Sequence, residues 1–362
     1  MIRRLTIAAL ALGLASCSEP APEKAAAPAA TVAATPAGFE PTASPTLERV
    51  RRRGWVACGV HPGLPGFAFP DARGGWRGFD VDLCRAVAAA VLGEATKVRF
   101  TPVTAAARFD ALRRGDIDIL SRNTSQTLAR DAGLGLTFPA TTYYDGQGVL
   151  VARSLGLTSV EELGGARICV QAGTVSEGNL RDFFTTRDLR FRPVVLQSED
   201  EARRTYETEG CDAFTADISA LAASRALMAN PASHMILPDP ISREPLGPVV
   251  RQDDPAWADI VRWTVAALVL AEEKGLTSRT VEAARREASD PETRRLLGVE
   301  GELGPLLGLS GDWAYQVVRQ VGSYGEVFRR NLGEDSGLKL ARGLNALWNA
   351  PAPGLMYAAP IR

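Results

Sequence analysis

Hydrophobic and polar positions from Trp55 onward switch repeatedly between a strand-like run and a helix-like period. An apolar run at Trp55 to Val60 predicts a strand, and the turn-rich His61-Pro62-Gly63-Leu64-Pro65-Gly66 ends it. A helical period follows from about Val81 to Leu92, then a strand near Val98 to Pro102, a helix around Ala105 to Arg114, and a strand at Ile117 to Leu120. A second cycle starts after Tyr143-Tyr144-Asp145-Gly146-Gln147-Gly148, with strands near Val149 to Ala152, Arg167 to Gln171, Arg192 to Leu196 and Asp212 to Ala216, and helices between them. This βαβ rhythm predicts an α/β fold of two lobes, each with a parallel, doubly wound sheet, and a ligand cleft at the carboxyl ends of the strands. The apolar stretch Ile260 to Ala271 is interrupted by Arg262 and Trp263 and reads as a buried helix. The segment from about Ser278 to Arg362 is helical by pattern, and its Trp313, Tyr315, Tyr324 and Trp348 are expected to pack on the first lobe.

The candidate chemistry lies where strands run into helices. In Asp116 to Arg130 a Thr127 N-cap places Arg130 near the third helical position, where unpaired N–H groups and the positive dipole end favour an acid. A cation there suits an anion from outside the chain, with Asn123, Thr124, Ser125 and Thr127 as further donors. The plainer alternative is a surface arginine paired with Asp131. In the second lobe, Gln171-Ala172-Gly173-Thr174-Val175-Ser176-Glu177 also passes from a strand into a helix; Thr174 with Glu177 reads as a capping box, and Thr174 or the Val175 N–H is a candidate ligand contact. Asp217 ends the Cys211 to Asp217 strand at the cleft, where an aspartate is either an N-cap or a ligand. Arg130 and Asp217 facing each other across a cleft suit a zwitterion.

The first residues carry an address. Arg3 and Arg4 precede an apolar run from Leu5 to Ala15, too short for a membrane span of ~20 residues, and Leu14-Ala15-Ser16-Cys17 resembles a lipobox with Cys17 as the acylated residue. Ordinary signal cleavage with an incidental Cys17 is the alternative. Ser18 to about Pro45 is dominated by Ala, Pro, Thr, Ser and Glu and reads as a disordered tether with a span on the order of 30 Å. A net charge of −1 over the chain argues against nucleic acid as the main partner. Cys58, Cys84, Cys169 and Cys211 form an even set in an exported chain, which allows three pairings; Cys58 with Cys84 and Cys169 with Cys211 is the most economical, because each closes within one lobe. No C-x-x-C occurs, and His61 and His234 stand far from ligand spacing, so no metal site or cofactor is expected.

Several motifs together carry a resemblance. Gly78-Phe79-Asp80-Val81-Asp82-Leu83, the Arg108 to Asp116 run, Ser125-x-Thr127-x-x-Arg130 and Cys211 to Asp217 resemble the type II periplasmic solute-binding proteins of ABC importers for amino acids. Cys58-Gly59-Val60, Ser121-Arg122-Asn123-Thr124, Tyr143 to Gly148, Arg243-Glu244-Pro245-Leu246-Gly247-Pro248 and the Leu355-Met356-Tyr357 tail are similar to the general L-amino-acid-binding subgroup. The resemblance implies a two-lobed type II periplasmic-binding-protein fold with a hinge and a helical C-terminal extension. Its expected organisation is residues 1–17 as signal, 18–45 as tether, 46–144 plus 247–362 as the first lobe with its extension, and 145–246 as the second lobe. It further implies that Arg130 clasps an α-carboxylate with Ser125 and Thr127, that Asp217 takes the α-ammonium, and that Asn123 and Thr174 add hydrogen bonds. Many relatives place an aromatic cover in the turn after the first strand; here Leu64 holds that position with Phe67 and His61 nearby, an aliphatic wall suited to broad recognition. His61 stands where the subgroup has a small amide, and the lipobox is a second departure.

The implied protein is a monomeric, lipid-anchored periplasmic binding protein, not an enzyme, that serves the transmembrane permease of an ABC importer. An exported dehydratase or lyase on the same fold would need a poised acid or base, and Glu177, the nearest candidate, has no second partner. A ligand-sensing protein for a signalling partner would share the same binding chemistry.

Overall fold

The computed structural model describes residues 42–362; the signal segment, Cys17 and the tether up to residue 41 lie outside the described residues. The end of the expected tether already belongs to the folded body. Ser44 is buried and caps α1 (Pro45–Arg53) through Leu47 N–H, and its hydroxyl donates to Asp254 Oδ2 at 3.0 Å. Proline at the first helical position and a serine cap form a strong start signal in a run that composition alone assigns to a linker.

Three parallel strands form the first sheet in the order β4-β1-β5, with β1 (Val56–Val60) between β4 (Val98–Pro102) and β5 (Ile119–Leu120). A short hairpin, β2 (Phe69–Pro70) with β3 (Trp76–Arg77), precedes α2 (Phe79–Leu92). Gly78 begins that helix at φ +139°, and a Cβ there would collide with the Phe67 carbonyl, so only glycine fits. α3 (Arg108–Arg114) connects β4 to β5; α4 (Leu128–Gly133) follows β5, and β6 (Leu136–Thr137) then pairs with β14 (Val250–Arg251).

Two antiparallel strands, β7 (Tyr143–Asp145) and β13 (Glu244–Leu246), carry the chain between the lobes. The second sheet has the order β10-β9-β11-β8-β12, built from β8 (Gln147–Ala152), β9 (Arg167–Gln171), β10 (Arg192–Leu196), β11 (Ala213–Asp217) and β12 (His234–Ile236). β9, β10 and β11 are parallel, whereas β8 runs antiparallel to β11 and β12, which departs from the all-parallel expectation. The reason is the crossing: β8 enters from β7 at the cleft and must run away from it. Helices α5 (Ser176–Thr185), α6 (Glu199–Glu207) and α7 (Ile218–Ala226) alternate with these strands.

The rest of the chain returns to the first lobe. α8 (Pro255–Glu273) is buried along most of its length, and Trp257 Nε1 donates to the Asp118 carbonyl at 3.0 Å. Short helices α9 (Val281–Glu287), α10 (Pro291–Leu296) and α11 (Leu303–Leu306) lead to α12 (Trp313–Val321), which packs on α2 and α8, and to α13 (Tyr324–Asn331). The helical expectation fails beyond Asn331, where the chain has only a 3-10 turn at Gly343–Asn345. Trp348 is 56 % exposed rather than packed; it sits in a turn where its N–H donates to the Met356 carbonyl at 2.9 Å and Gly354 N–H to the Leu347 carbonyl at 3.1 Å. Disulfides join Cys58 to Cys84 and Cys169 to Cys211, one within each lobe.

Asp118 fastens the start of the fold to this sheet. Its fully buried carboxylate accepts from Ala57 N–H at 2.8 Å, bonds Arg49 at 3.3 Å and pairs with Arg53. Asp118→Ala leaves these donors without their anion and is expected to lower the unfolding free energy by about 3–5 kcal/mol. Urea unfolding followed by tryptophan fluorescence checks this; a midpoint equal to that of the parent would contradict it.

Candidate functional site

The carboxyl ends of the strands from both sheets meet around a narrow cavity of about 30 Å³. Arg108, Arg122, Asn123, Ser125 and Arg130 line it from the first lobe, and Gln171, Thr174, Val175, Ser176, Glu199 and Asp217 from the second. The cleft is shut around it. Arg108 Nη2 donates across to the Gly173 carbonyl at 3.4 Å, and His61 Nε2 lies 3.8 Å from Glu199 Oε2.

Arg130 is the third residue of α4, whose N-cap Thr127 accepts from the Arg130 N–H at 3.3 Å. The side chain is only 8 % exposed, one Nη donates to the Ser125 carbonyl at 2.9 Å, and the guanidinium lies 5.4 Å from the Phe109 ring centre. Among the described residues it has no ion pair. Asp131, the partner offered by the surface-arginine alternative, instead accepts from Gln126. Burial pulls the Arg130 pKa down, and Glu244 and Asp217 push it back up.

Asp217 holds the N-cap position of α7, yet its carboxylate caps nothing. Asp145 does that work: Oδ2 accepts from Ser219 N–H at 3.2 Å and bonds the Ser219 hydroxyl. The Asp217 carboxylate, 8 % exposed, is therefore left to the cavity. Its pKa is held well above the ordinary carboxylate range, first by burial and then by the neighbouring charges of Asp145, Glu244 and Glu199. One buried guanidinium and one buried carboxyl group, neither in an ion pair, thus face one small space from opposite lobes.

The other expected residues divide between cavity and core. Asn123 sits at φ +21°, donates its N–H to the buried Asp80 at 2.9 Å, and has a buried side-chain oxygen without a partner. Val175 and Thr174 are at the cavity, but the expected capping box is absent. α5 starts at Ser176 without a side-chain cap, the Thr174 hydroxyl donates to the Gln171 carbonyl at 2.7 Å, and Glu177 pairs with Arg181. The turn has Gly173 at φ +72°, and the helix starts one residue later than the spacing predicts, with Val175 rather than Thr174 at the N-cap. Leu64 and Phe67 are not brought to the cavity. The turn folds back, with Leu64 N–H donating to the Ala68 carbonyl at 2.7 Å, and Phe67 stacks edge-on against Phe79 and Tyr143 in the core. His61 is buried behind the cavity wall; Nδ1 accepts from Gly63 N–H at 3.0 Å, and burial with Arg122 and Arg108 nearby drives its pKa well below the usual value.

Sequence reasoning missed Arg108, Arg122 and Glu199. Arg108 opens α3, so it carried the signal that singled out Arg130, a cation in a helical first turn. Its Nε is buried without a partner. Arg122 donates Nε to the Val103 carbonyl at 3.0 Å, and burial lowers its pKa to about 10. Glu199 is an acid in the first turn of α6, an ordinary placement that gives no warning; burial raises its pKa. A larger open groove of about 750 Å³ runs along the C-terminal segment, but its Arg342 is already paired with Glu272 and its Glu326 with Ser278 and Ser323. Among the described residues no cluster of His, Cys, Asp and Glu fits a metal ion, and no helix is long and apolar enough to cross a membrane.

Two α/β lobes joined by crossing strands, with a charged cleft between them, define a solute-binding protein. Residues 56–275 match the bacterial extracellular solute-binding proteins, family 3, and the chain belongs to that family. It is 50 % identical over 327 residues, 90 % of this chain and 95 % of the relative, to the general L-amino acid-binding periplasmic protein AapJ of Rhizobium johnstonii. It is also 50 % identical over 317 residues, 88 % of this chain and 93 % of the relative, to the glutamate/glutamine/aspartate/asparagine-binding protein BztA of Rhodobacter capsulatus. A solved ABC transporter/periplasmic binding protein from Brucella ovis with glutathione bound superposes with a TM-score of 0.85 at 48 % identity, covering 88 % of this chain and 99 % of that one. These relatives are binding proteins, not enzymes.

Ionising Asp217 in the ligand-free protein works against its raised pKa, so its contribution to stability is present at low pH and fades as the pH rises through that pKa. Asp145→Asn removes one neighbouring anion and is expected to move the Asp217 titration down towards the ordinary carboxylate range. Carboxyl carbon NMR titration of both forms checks this; an unmoved Asp217 titration would show that the Asp145 charge does not contribute to the shift.

Proposed function

We propose that this chain captures an L-amino acid in the cleft and delivers it to the permease of an ABC importer. One observation carries the reading: Arg130 and Asp217 are buried and unpaired on opposite walls of the same cavity. A zwitterion neutralises both at once, and neither wall is satisfied by a simple anion or cation. Arg130, with Ser125 and Thr127, takes the α-carboxylate, and Asp217 takes the α-ammonium. Asn123, Thr174 and the Val175 N–H add hydrogen bonds, while His61, 3.8 Å from Glu199, backs the wall. Arg108 and Arg122 favour a side chain ending in a carboxylate or amide oxygen, in keeping with the amino acids in the name of the Rhodobacter relative. Closure then follows ligand binding, because only the closed form brings both charges to one ligand.

The protein acts as a monomer at the end of the tether that follows Cys17. The short apolar leader, the small residues before Cys17 and the Ala/Pro-rich run after it support a lipid anchor. Cys17→Ser is expected to move the protein from the membrane fraction to the soluble periplasmic fraction; an unchanged distribution would exclude acylation at that residue.

Arg130→Ala and Asp217→Ala each leave the partner charge of the ligand buried without an opposite. Each is expected to weaken the tightest of the twenty L-amino acids by about a hundredfold or more, with an unchanged circular dichroism spectrum. Calorimetry measures this, and retained affinity in either variant contradicts the assigned roles.

A further inference from the structure

The outer edge of the crossing strand β7 is held by the C-terminal segment. Asn345 is buried, and its side-chain amide takes both backbone groups of Tyr144: Tyr144 N–H donates to Oδ1 at 2.6 Å, and Nδ2 donates to the Tyr144 carbonyl at 3.0 Å. Opposite Tyr144 on β13 stands Pro245, whose carbonyl faces away and accepts from Gln126 N–H at 2.9 Å, so the two residues exchange no backbone bond and the Tyr144 groups point outward. One side chain therefore does on this edge what a third strand would do. Two residues earlier, the Tyr324 hydroxyl donates to the Thr142 carbonyl at 2.8 Å.

Asn345 is itself anchored. Arg342 Nε donates to the Asn345 carbonyl at 3.0 Å, the same guanidinium grips both oxygens of Glu272 on α8 at 3.0 and 3.1 Å, and its plane lies 4.9 Å from the Phe328 ring centre. A continuous path thus runs from α8 through Arg342 and Asn345 to Tyr144. The residues just beyond Tyr144 brace the second wall of the cleft. Asp145 caps α7 in place of Asp217, the Gly146 carbonyl accepts from Ile218 N–H at 2.8 Å, and Gln147 bonds the Ser176 carbonyl and Thr215.

We propose that Asn345 is a positioning residue for ligand capture: its two hydrogen bonds to Tyr144 set the pivot about which the lobes close and so hold Asp217 in line with Arg130. The inference rests on the reading that the cleft binds an amino acid. Without the clip, the β7 backbone keeps only its pairing with β13, the pivot gains slack, and the closed form loses population relative to the open one.

The test uses the folded chain, Asn345→Ala, and Asn345→Asp as a second variant that keeps an acceptor for Tyr144 N–H but replaces the donor to its carbonyl by a second acceptor. With L-glutamate as the probe, Asn345→Ala is expected to weaken binding in calorimetry about five- to tenfold, mainly through faster dissociation in stopped flow. Small-angle scattering of the ligand-free variant is expected to show a larger radius of gyration than the parent. If both variants lower the melting temperature but leave the L-glutamate affinity, the dissociation rate and the scattering curve unchanged, Asn345 only packs and the inference is overturned. Should Asn345→Ala fail to fold, the same comparison with Asn345→Asp decides. If the parent binds no amino acid, the functional reading fails instead, and the ligand-free scattering still decides whether Asn345 sets the pivot.

Discussion

Two opposite charges, each withdrawn from water and neither given a direct counter-ion, are the constraint around which this molecule is arranged. Burying an ion without a partner costs several kcal/mol, so a fold that does this twice needs a reason. Arg130 and Asp217 stand on different lobes, and the local structure keeps each from being neutralised nearby: Asp131 is engaged with Gln126, and the capping duty that would occupy Asp217 is done by Asp145. On the proposed reading, their separation across the cleft turns a local cost into a demand for a dipolar ligand.

The surrounding structure keeps that demand in place. Asp80 holds the Asn123 backbone and the Ser121 hydroxyl from beneath, with burial raising its pKa to about 6. On the other wall, the Gln147 amide joins Ser176, Thr215 and Asn179, so the end of β11 and the start of α5 move as one. Each disulfide lies within one lobe and leaves the two lobes free to turn against each other. The lobes are joined through β7 and β13, and the C-terminal segment reaches β7 from the side.

Much of this was legible in the chain. Strands such as Val98–Pro102, Arg167–Gln171 and Arg192–Leu196 match their expected limits because short apolar runs bounded by turn residues leave little choice. Arg130 was visible because it breaks a local electrostatic preference. Arg108 breaks the same preference, whereas Glu199 obeys it and carries no such signal. Leu64 and Phe67 show the opposite failure. Their position in the chain suggested a ligand wall, but the turn folds back and core packing claims both side chains.

The sequence by itself determined the elements, the two-cycle organisation and the presence of a misplaced cation and a strand-end anion, because period, capping and charge preference act over a few residues. Only the tertiary structure decided which carboxylate caps α7 and which faces the cavity, that β8 runs against its neighbours, and that Asn345 meets Tyr144. Those outcomes depend on contacts between residues as far as 201 positions apart, where no local preference can choose among partners.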